Sequence, residues 1–139
     1  RGRCIELGLM PTAQFETEVG FIHKVGKGET VSYGRRWIAE KETLLATLPV
    51  GYGDGIPRSW WETGHVIIRG EKCPIRGVIT MDQLMVEVNT DVEVGDKAIL
   101  FGESQQEIIT AGEIAEATQT ISYEVLASVG KRVPRFYED

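Results

Sequence analysis

Two tyrosines of this chain each stand directly before a glycine, Tyr33 in "VSYGRR" and Tyr52 in "GYGDG". A phenol can both donate and accept a proton, so it is a candidate general acid or base. A glycine beside a large polar aromatic is typical of a strand that ends or bends, which lets the ring project into a cleft. The pattern predicts two phenols that line one site. The alternative is a packed ring beside an ordinary turn.

Other polar and aromatic residues nearby are candidates of the same kind, and each has a structural alternative. Asp82 in "MDQ" and Asp54 in "GYGDG" suit an exposed site, but both also suit turns. Trp60 and Trp61 offer large surfaces for a ligand, and they would equally well cover the edge of a core. Single residues of these types do not identify a function.

Composition excludes several classes of protein. The 139 residues are 42% hydrophobic, which is enough for one domain with one core. A net charge of −6, from 21 acidic and 15 basic residues, provides no basic surface for nucleic acid or for a membrane. No apolar run approaches the roughly 18 residues of a membrane-spanning helix. Cys4 and Cys73 form no C-x-x-C pair, which disfavours a metal site and indicates reduced thiols in the cytoplasm.

Short apolar runs separated by glycine, proline or acidic turns predict a mainly β fold, either an antiparallel sandwich or a barrel. Residues 16–25 alternate with a period of two, which predicts one half-buried strand with Val19, Phe21, His23 and Val25 on the same side. Gly102 is expected to end the last strand. The further predicted strands are residues 43–50, 65–69, 72–79, 84–88 and 97–101.

The last third of the chain predicts two short helices, near 110–118 and 120–130. Thr110 precedes Glu113 by three positions, the spacing of a capping box at a helix start. Pro134 is expected to end the second helix or the chain just after it, with an exposed tail beyond.

Six segments occur in an order that resembles the C-terminal β domain of alanine racemase, a pyridoxal-phosphate enzyme of bacterial cell-wall precursor synthesis. They are "VSYG", "LPVGYGDGIPR", "GVITMDQLMVEV", "VGDKAILFG", "TISYEV" and "KRVPR". Any one of them alone would be a weak signal. The resemblance implies a Greek-key or barrel-like C-terminal domain with two short helices near its end.

The resemblance implies roles for five residues toward the amino-acid substrate. Tyr33 matches one of the two catalytic acid/bases of the family. Tyr52 and Arg58 match residues that line the passage by which substrate reaches the site. Met81 and Asp82 match a pair whose backbone N–H, at the methionine, contacts the substrate carboxylate from the partner subunit.

Toward the cofactor, the resemblance implies that Tyr123 reaches the phosphate and that Arg1 hydrogen-bonds the pyridine nitrogen, since Arg1 and Pro11 keep the family spacing. Residues 1–12 would be the end of a preceding TIM-barrel domain and residues 13–139 the C-terminal β domain. The lysine that anchors pyridoxal phosphate would lie upstream of this chain. Residues 1–139 alone are therefore expected to be inactive and to complete the barrel site of a partner subunit in a homodimer.

Three departures from the family pattern and three alternatives stay open. Residues 2–4, Gly-Arg-Cys, differ from the pattern that usually follows the arginine matched by Arg1. Gly53 stands where alanine is common, and Val78 stands where some members carry an arginine. One alternative is a relative that racemises serine, and another is a decarboxylase, which would need a catalytic cysteine from this domain. The third is a non-catalytic β-barrel module whose aromatic residues Tyr52, Trp60 and Trp61 hold a ligand.

Overall fold

The structure is a computed structural model that describes residues 12–138. Within this range the chain forms ten β-strands and two α-helices. The strands are β1 Phe15–Glu18, β2 Phe21–Val25, β3 Thr30–Val31, β4 Trp37–Ile38, β5 Thr43–Leu48, β6 His65–Ile68, β7 Glu71–Pro74, β8 Leu84–Glu87, β9 Lys97–Ser104 and β10 Glu107–Ile109. The helices are α1 Ala111–Ala117 and α2 Ser122–Ser128.

The strands pair in three antiparallel groups. One sheet has the order β1-β9-β6-β7, with β10 also paired to β9, and a second sheet has the order β2-β5-β8. The short strands β3 and β4 form a separate hairpin. The prediction of a mainly β fold with two short C-terminal helices is therefore confirmed.

Two corners join the main sheets into a barrel-like ring. At the first corner the Val19 N–H donates to the Asp96 carbonyl and the Gly20 N–H donates to the Thr47 carbonyl, both at 2.9 Å. Adjacent residues thus hydrogen-bond to β9 on one side and to β5 on the other. At the second corner Ile75 pairs with Val86 of β8, just after β7 ends.

The first corner contradicts the prediction of one strand over residues 16–25. The chain bends at Val19 and Gly20, so β1 and β2 belong to different sheets. Val19 is 1% exposed whereas Phe21 is 60% exposed, because the bend turns Phe21 out of the core. A period of two in the sequence cannot report such a bend, since both halves of the chain are extended.

Other strand boundaries also differ from expectation. Gly102 does not end β9, which continues to Ser104. The last part of β9, beyond its contacts with β1, pairs with β10, and Gly102 lies opposite Ile109 there. The strand predicted over 72–79 ends at Pro74, and residues 75–79 form a loop with one isolated pair. The hairpin β3–β4 and strand β10 were not predicted, because runs of two or three residues carry too short a pattern.

Specific hydrogen bonds mark where the helices begin and end. The Thr110 hydroxyl accepts from the Glu113 N–H at 3.1 Å while the Glu113 carboxylate accepts from the Thr110 N–H at 2.7 Å, so the predicted capping box is confirmed. Helix α2 ends at Ser128 rather than at Pro134. The Gly130 N–H donates to the Asp54 carbonyl at 3.1 Å, which draws the chain away from the helix axis. The tail beyond Pro134 is exposed, as predicted.

The buried apolar residues form two separate clusters. The larger one fills the ring and includes Leu48, Ile67, Ile79, Leu100 and Ile114. A small one, made of Val25, Val31, Ala39 and Leu45 with the partly buried Trp37 and Met85, lies beneath the β3–β4 hairpin. In residues 12–138, neither helix has the length and hydropathy needed to cross a bilayer.

Cys73 of β7 is 6% exposed, and burial, assisted by the nearby Glu71 carboxylate, raises the pKa of its thiol to about 11. The thiolate is the reactive form, so at pH 8 only roughly a thousandth of this thiol is ionised, against about a quarter of a free cysteine. In a Cys4→Ser variant of the native protein we therefore expect iodoacetamide to modify Cys73 at least about a hundredfold more slowly than in the same variant unfolded in urea. Equal rates, followed by mass spectrometry, would contradict the buried position.

Candidate active site

An open hollow of about 280 Å³ lies at one end of the ring. Its lining comes from the β3–β4 hairpin, the turn after β5, and the loop before β8. The residues are Tyr33, Tyr52, Arg58, Ile79, Thr80, Met81 and Asp82. The structure thus brings together all five residues predicted to face the substrate. A neighbouring hollow of about 360 Å³ shares Tyr33 and Thr80 and extends along Ser32, Val78 and Met85.

Tyr33 is positioned by a tight turn between β3 and β4. It is the first residue of a 3₁₀ turn, Tyr33–Arg35, and its side chain is 75% exposed. Gly34 has φ 75°, in the left-handed region that glycine adopts without strain. The expectation that the phenol projects from a strand end therefore agrees with the local geometry.

Tyr52 has the same local arrangement at the end of β5. It begins the 3₁₀ turn Tyr52–Asp54 and is 47% exposed. Its N–H donates to the Thr80 carbonyl at 3.0 Å, and the next N–H, of Gly53, donates to the Met81 carbonyl at 2.9 Å. The Asp54 carboxylate accepts from the Gly51 N–H at 2.9 Å, so Asp54 closes the turn. The main chain carrying Tyr52 is thus fixed to the loop carrying Met81.

Met81 lines the hollow and has a backbone N–H without a partner in the described residues. Its carbonyl accepts from the Gly53 N–H at 2.9 Å, while its N–H makes no hydrogen bond to any residue within 12–138. Two hydrogen bonds within residues 80–83 hold this loop in place. The Thr80 hydroxyl donates to the Gln83 carbonyl at 3.0 Å and accepts from the Gln83 N–H at 3.1 Å. An N–H held in a fixed loop with no partner of its own is a donor suited to an anionic ligand group.

Arg132 connects the turn that carries Tyr52 to the loop that carries Met81. The sequence alone predicted no role for it. Its Nε donates to the Asp54 carboxylate at 2.7 Å, and its Nη2 donates to the Asp82 carboxylate at 2.8 Å and the Met81 carbonyl at 3.3 Å. Hydrogen bonds to Asp54 and then Asp82 raise the pKa of the guanidinium above its usual value. The signal in the sequence was "KRVPR", whose arginines match the family without showing what they contact.

Gly53 leaves the space that this guanidinium occupies. A Cβ at this position would lie 2.6 Å from Arg132 Nη2 and 3.0 Å from the Met81 carbonyl oxygen. Alanine would therefore require the arginine to shift, whereas glycine allows the bond geometry found here. The position of the Arg132 guanidinium thus explains why glycine, rather than alanine, fits at position 53 of this chain.

The remaining predicted residues lie elsewhere. Tyr123 is on the first turn of α2, 78% exposed, and does not line either hollow. Arg1 and Cys4 lie outside the described residues. Trp60 is 3% exposed in the main core, which agrees with the core-edge interpretation rather than with a ligand surface. Val78 is also buried, at 3% exposure.

Two kinds of group are missing from the described part of the site. No set of three or more His, Cys, Asp or Glu side chains within residues 12–138 could hold a metal ion. None of the residues that line the two hollows is a lysine. The residues that line the two hollows therefore offer phenols, a guanidinium, a carboxylate and backbone donors, but no amine.

Comparison with known proteins agrees with this arrangement. A model described as "Alanine racemase, C-terminal domain" matches residues 12–137. The chain belongs to the alanine racemase C-terminal domain family. Alanine racemase from Symbiobacterium thermophilum is 45% identical over 131 residues, and that from Halothermothrix orenii is 41% identical over 135 residues. These matches cover 93% and 96% of this chain but 35% and 36% of the relatives, so the chain spans about a third of their length.

Solved alanine racemases share the fold. The enzyme from the D-cycloserine producer Streptomyces lavendulae superposes with a TM-score of 0.90 at 38% identity, over 97% of this chain and 36% of that one. The enzyme from Bacillus anthracis, crystallised with bound L-Ala-P, gives a TM-score of 0.87 at 36% identity, over 91% of this chain and 32% of that one. The racemase fold thus extends over nearly all of the described residues.

Replacing Arg132 by alanine is expected to loosen both loops without unfolding the domain. Amide hydrogen exchange at Gly51, Gly53 and Asp54 should become about three- to tenfold faster, the range for losing two exposed ion pairs. The matched control is Lys131→Ala, which removes the same charge from the adjacent exposed residue. Unchanged exchange in Arg132→Ala, or equal acceleration in both variants, would show that the guanidinium does not order the loops.

Proposed function

We propose that this chain is the C-terminal part of a pyridoxal-phosphate-dependent alanine racemase, an isomerase that interconverts L- and D-alanine for peptidoglycan synthesis. It would supply Tyr33 as an acid/base to a site completed by the barrel domain of a partner subunit. The observation that carries the proposal is the grouping of Tyr33, Tyr52, Arg58, Met81 and Asp82 around one hollow, in a chain of this family.

The described residues fit one face of a cofactor site rather than a whole one. The exposed phenols suit proton transfer and hydrogen bonding to an anionic ring substituent, yet no lysine lines either hollow. When bound, pyridoxal phosphate withdraws electrons from the α-carbon of the amino acid, so that its proton can leave. The anchoring lysine, and with it one of the two proton-transferring groups, would come from the preceding barrel.

Tyr33 would hold or move the proton on one face of the substrate. Its hydroxyl lies on a side chain that is 75% exposed, beside the open hollow, so the phenol is available to a group that arrives from outside this domain. Inverting a stereocentre requires that one group remove the α-proton and that another return a proton from the opposite side. A lysine on one face and Tyr33 on the other would satisfy that requirement.

The loop residues would bind and orient the substrate. The unpaired N–H of Met81 would donate to the substrate carboxylate, and Arg132 would keep Asp82 and this loop in place. Tyr52 and Arg58, which also line the hollow, would line the passage to the site. Their bulk would limit the size of the side chain that can enter, which favours a small amino acid.

Tyr123 and Arg1 stay part of the proposal as cofactor contacts, to the phosphate and to the pyridine nitrogen. Tyr123 does not reach the hollow within this chain, so its contribution would be made across the domain or subunit boundary. Residues 1–12 would end the barrel domain and residues 13–139 would form this one, in a head-to-tail homodimer in the cytoplasm. Such a dimer would explain why the site residues of this domain are so exposed.

The alternatives have less support. A non-catalytic module that grips a ligand with Tyr52, Trp60 and Trp61 is disfavoured because Trp60 is buried in the core. A decarboxylase would need a reactive cysteine here, whereas Cys73 is buried, lies away from the hollow and has a raised pKa. A racemase that prefers serine would use the same residues. Parallel measurement of kcat/KM for L-alanine and L-serine would decide between these two substrates.

Tyr33→Phe in the full-length parent tests the proposal, because it removes one hydroxyl and keeps the ring. Racemisation should fall by about 10²- to 10⁴-fold, the usual contribution of a positioned acid/base. The α-proton of one enantiomer should still exchange with D₂O through the group on the other face, which mass spectrometry can follow separately for L- and D-alanine. Stability should barely change.

The matched control is Tyr137→Phe, which makes the same change on a 92% exposed tyrosine of the tail. It should leave both exchange rates as in the wild type. Equal loss of exchange for both enantiomers in Tyr33→Phe would indicate a damaged cofactor site instead. Unchanged racemisation would make Tyr33 a surface ring without a catalytic role.

A further inference from the structure

Ser32, the residue before Tyr33, has a backbone conformation that is rare for any residue with a side chain. Its φ is 66° and its ψ is 179°, a combination found almost entirely at glycines. Residues persist in such strained regions only where surrounding contacts hold them, and they concentrate at functional sites. Contacts from other parts of the chain must therefore hold Ser32 in this conformation, directly before Tyr33.

A hydrogen bond from the side chain holds the strained residue. The Ser32 Oγ donates to the Val78 carbonyl at 2.6 Å, across 46 positions of sequence and in a partly buried setting. The backbone approaches closely there, since a Cβ on Gly77 would lie 2.8 Å from the Ser32 Cβ and 3.1 Å from the Val31 carbonyl oxygen. Ser32 is thus packed against Gly77 and hydrogen-bonded to Val78.

The same segment also secures the other strand of the hairpin. The guanidinium of Arg76 lies over the Trp37 ring, 5.6 Å from its centroid, and pairs with the Glu87 carboxylate of β8 at 2.7 Å. Trp37 is the residue of β4 that pairs with Val31 of β3. Residues 76–78 therefore hold both strands on either side of the Tyr33 turn.

Tyr33 depends on this backbone because its own side chain is largely free. The phenol is 75% exposed, and no hydrogen bond or ring contact to another residue of 12–138 fixes it. The ψ of Ser32 sets the direction in which the chain enters Tyr33. A relaxation of Ser32 to an ordinary conformation would therefore swing the phenol away from the hollow.

We propose that Ser32 is a positioning residue, whose hydrogen bond to Val78 maintains a strained backbone that aims the Tyr33 phenol at the reacting α-carbon. This assignment rests on the proposed role of Tyr33. It predicts one effect on stability, which does not depend on catalysis, and one effect on catalysis, which does.

The stability test compares two replacements of Ser32 in the full-length parent. Alanine normally stabilises a protein relative to glycine at the same site, because glycine loses more entropy on folding. At Ser32 the order should reverse, so that Ser32→Gly unfolds at a higher temperature than Ser32→Ala, since the combination of φ 66° with ψ 179° is accepted without strain by glycine alone. Scanning calorimetry measures both midpoints.

Ser128 provides the matched control for that comparison. Its Oγ also donates to a backbone carbonyl, that of Glu124 at 2.7 Å, but it lies at the end of α2 in helical conformation. There Ser128→Ala should unfold at a higher temperature than Ser128→Gly, in the usual order. The ordinary order at Ser32 as well would show that its backbone is not strained, and would overturn the proposal.

The catalytic test is a double-mutant cycle with Tyr33→Phe. Ser32→Ala should lower kcat for racemisation about tenfold or more, since small displacements of a reacting group are costly, with KM changed by less than about threefold. The loss of solvent exchange should be confined to the enantiomer whose proton Tyr33 handles. On the Tyr33→Phe background, Ser32→Ala should leave the surviving one-handed exchange unchanged.

The outcomes separate this assignment from the function on which it rests. Additive losses in the cycle, or wild-type kcat in Ser32→Ala, would overturn the assignment of Ser32 while Tyr33 keeps its role. Wild-type racemisation by Tyr33→Phe would overturn the function and the assignment together. Loss of exchange for both enantiomers in Ser32→Ala would indicate general damage to the site and would also contradict selective positioning.

Discussion

One short loop segment, residues 78–81, accepts hydrogen bonds from every part of the site. Its carbonyls bind the Ser32 hydroxyl, the Tyr52 N–H, the Gly53 N–H and the Arg132 guanidinium. The hairpin with Tyr33, the turn with Tyr52 and the chain beyond α2 are far apart in sequence, and each of them hydrogen-bonds to this segment. Since the acceptors in these bonds all belong to the main chain, the segment fixes backbone positions and leaves the site side chains exposed.

This division between fixed backbone and exposed side chain fits an incomplete site. Most of the apolar surface is buried in the ring of sheets, which makes the rim a stable base for three loops. The phenols that the loops carry are open to solvent, with Tyr33 75% and Tyr52 47% exposed. A domain that functioned alone would be expected to bury part of so much aromatic surface.

The sequence was informative where the determining contacts are local. The capping box at Thr110 and Glu113 and most strands of the ring could be predicted, because each depends on residues a few positions apart. The grouping of Tyr33, Tyr52 and Met81 could be expected only from resemblance to a family, since no local pattern brings those loops together.

Long-range contacts and backbone angles account for what was missed. The bend at Val19 and Gly20 depends on pairing with two different sheets, and the role of Arg132 depends on carboxylates 50 and 78 positions away. The strain at Ser32 is invisible in the letters "VSYG", because serine occupies ordinary conformations almost everywhere else. The site is thus specified mainly by long-range contacts and backbone angles, which local sequence patterns do not report.

The separate small cluster beneath the β3–β4 hairpin has a consequence for heating. Val31 and Ala39 pack there with few partners, apart from the large core that stabilises the ring. Small clusters open at lower free energy than large ones, so the hairpin can detach while the rest of the domain stays folded. Warming would then release the turn that carries Tyr33 before the rest of the domain unfolds, because that turn joins the two strands of the hairpin.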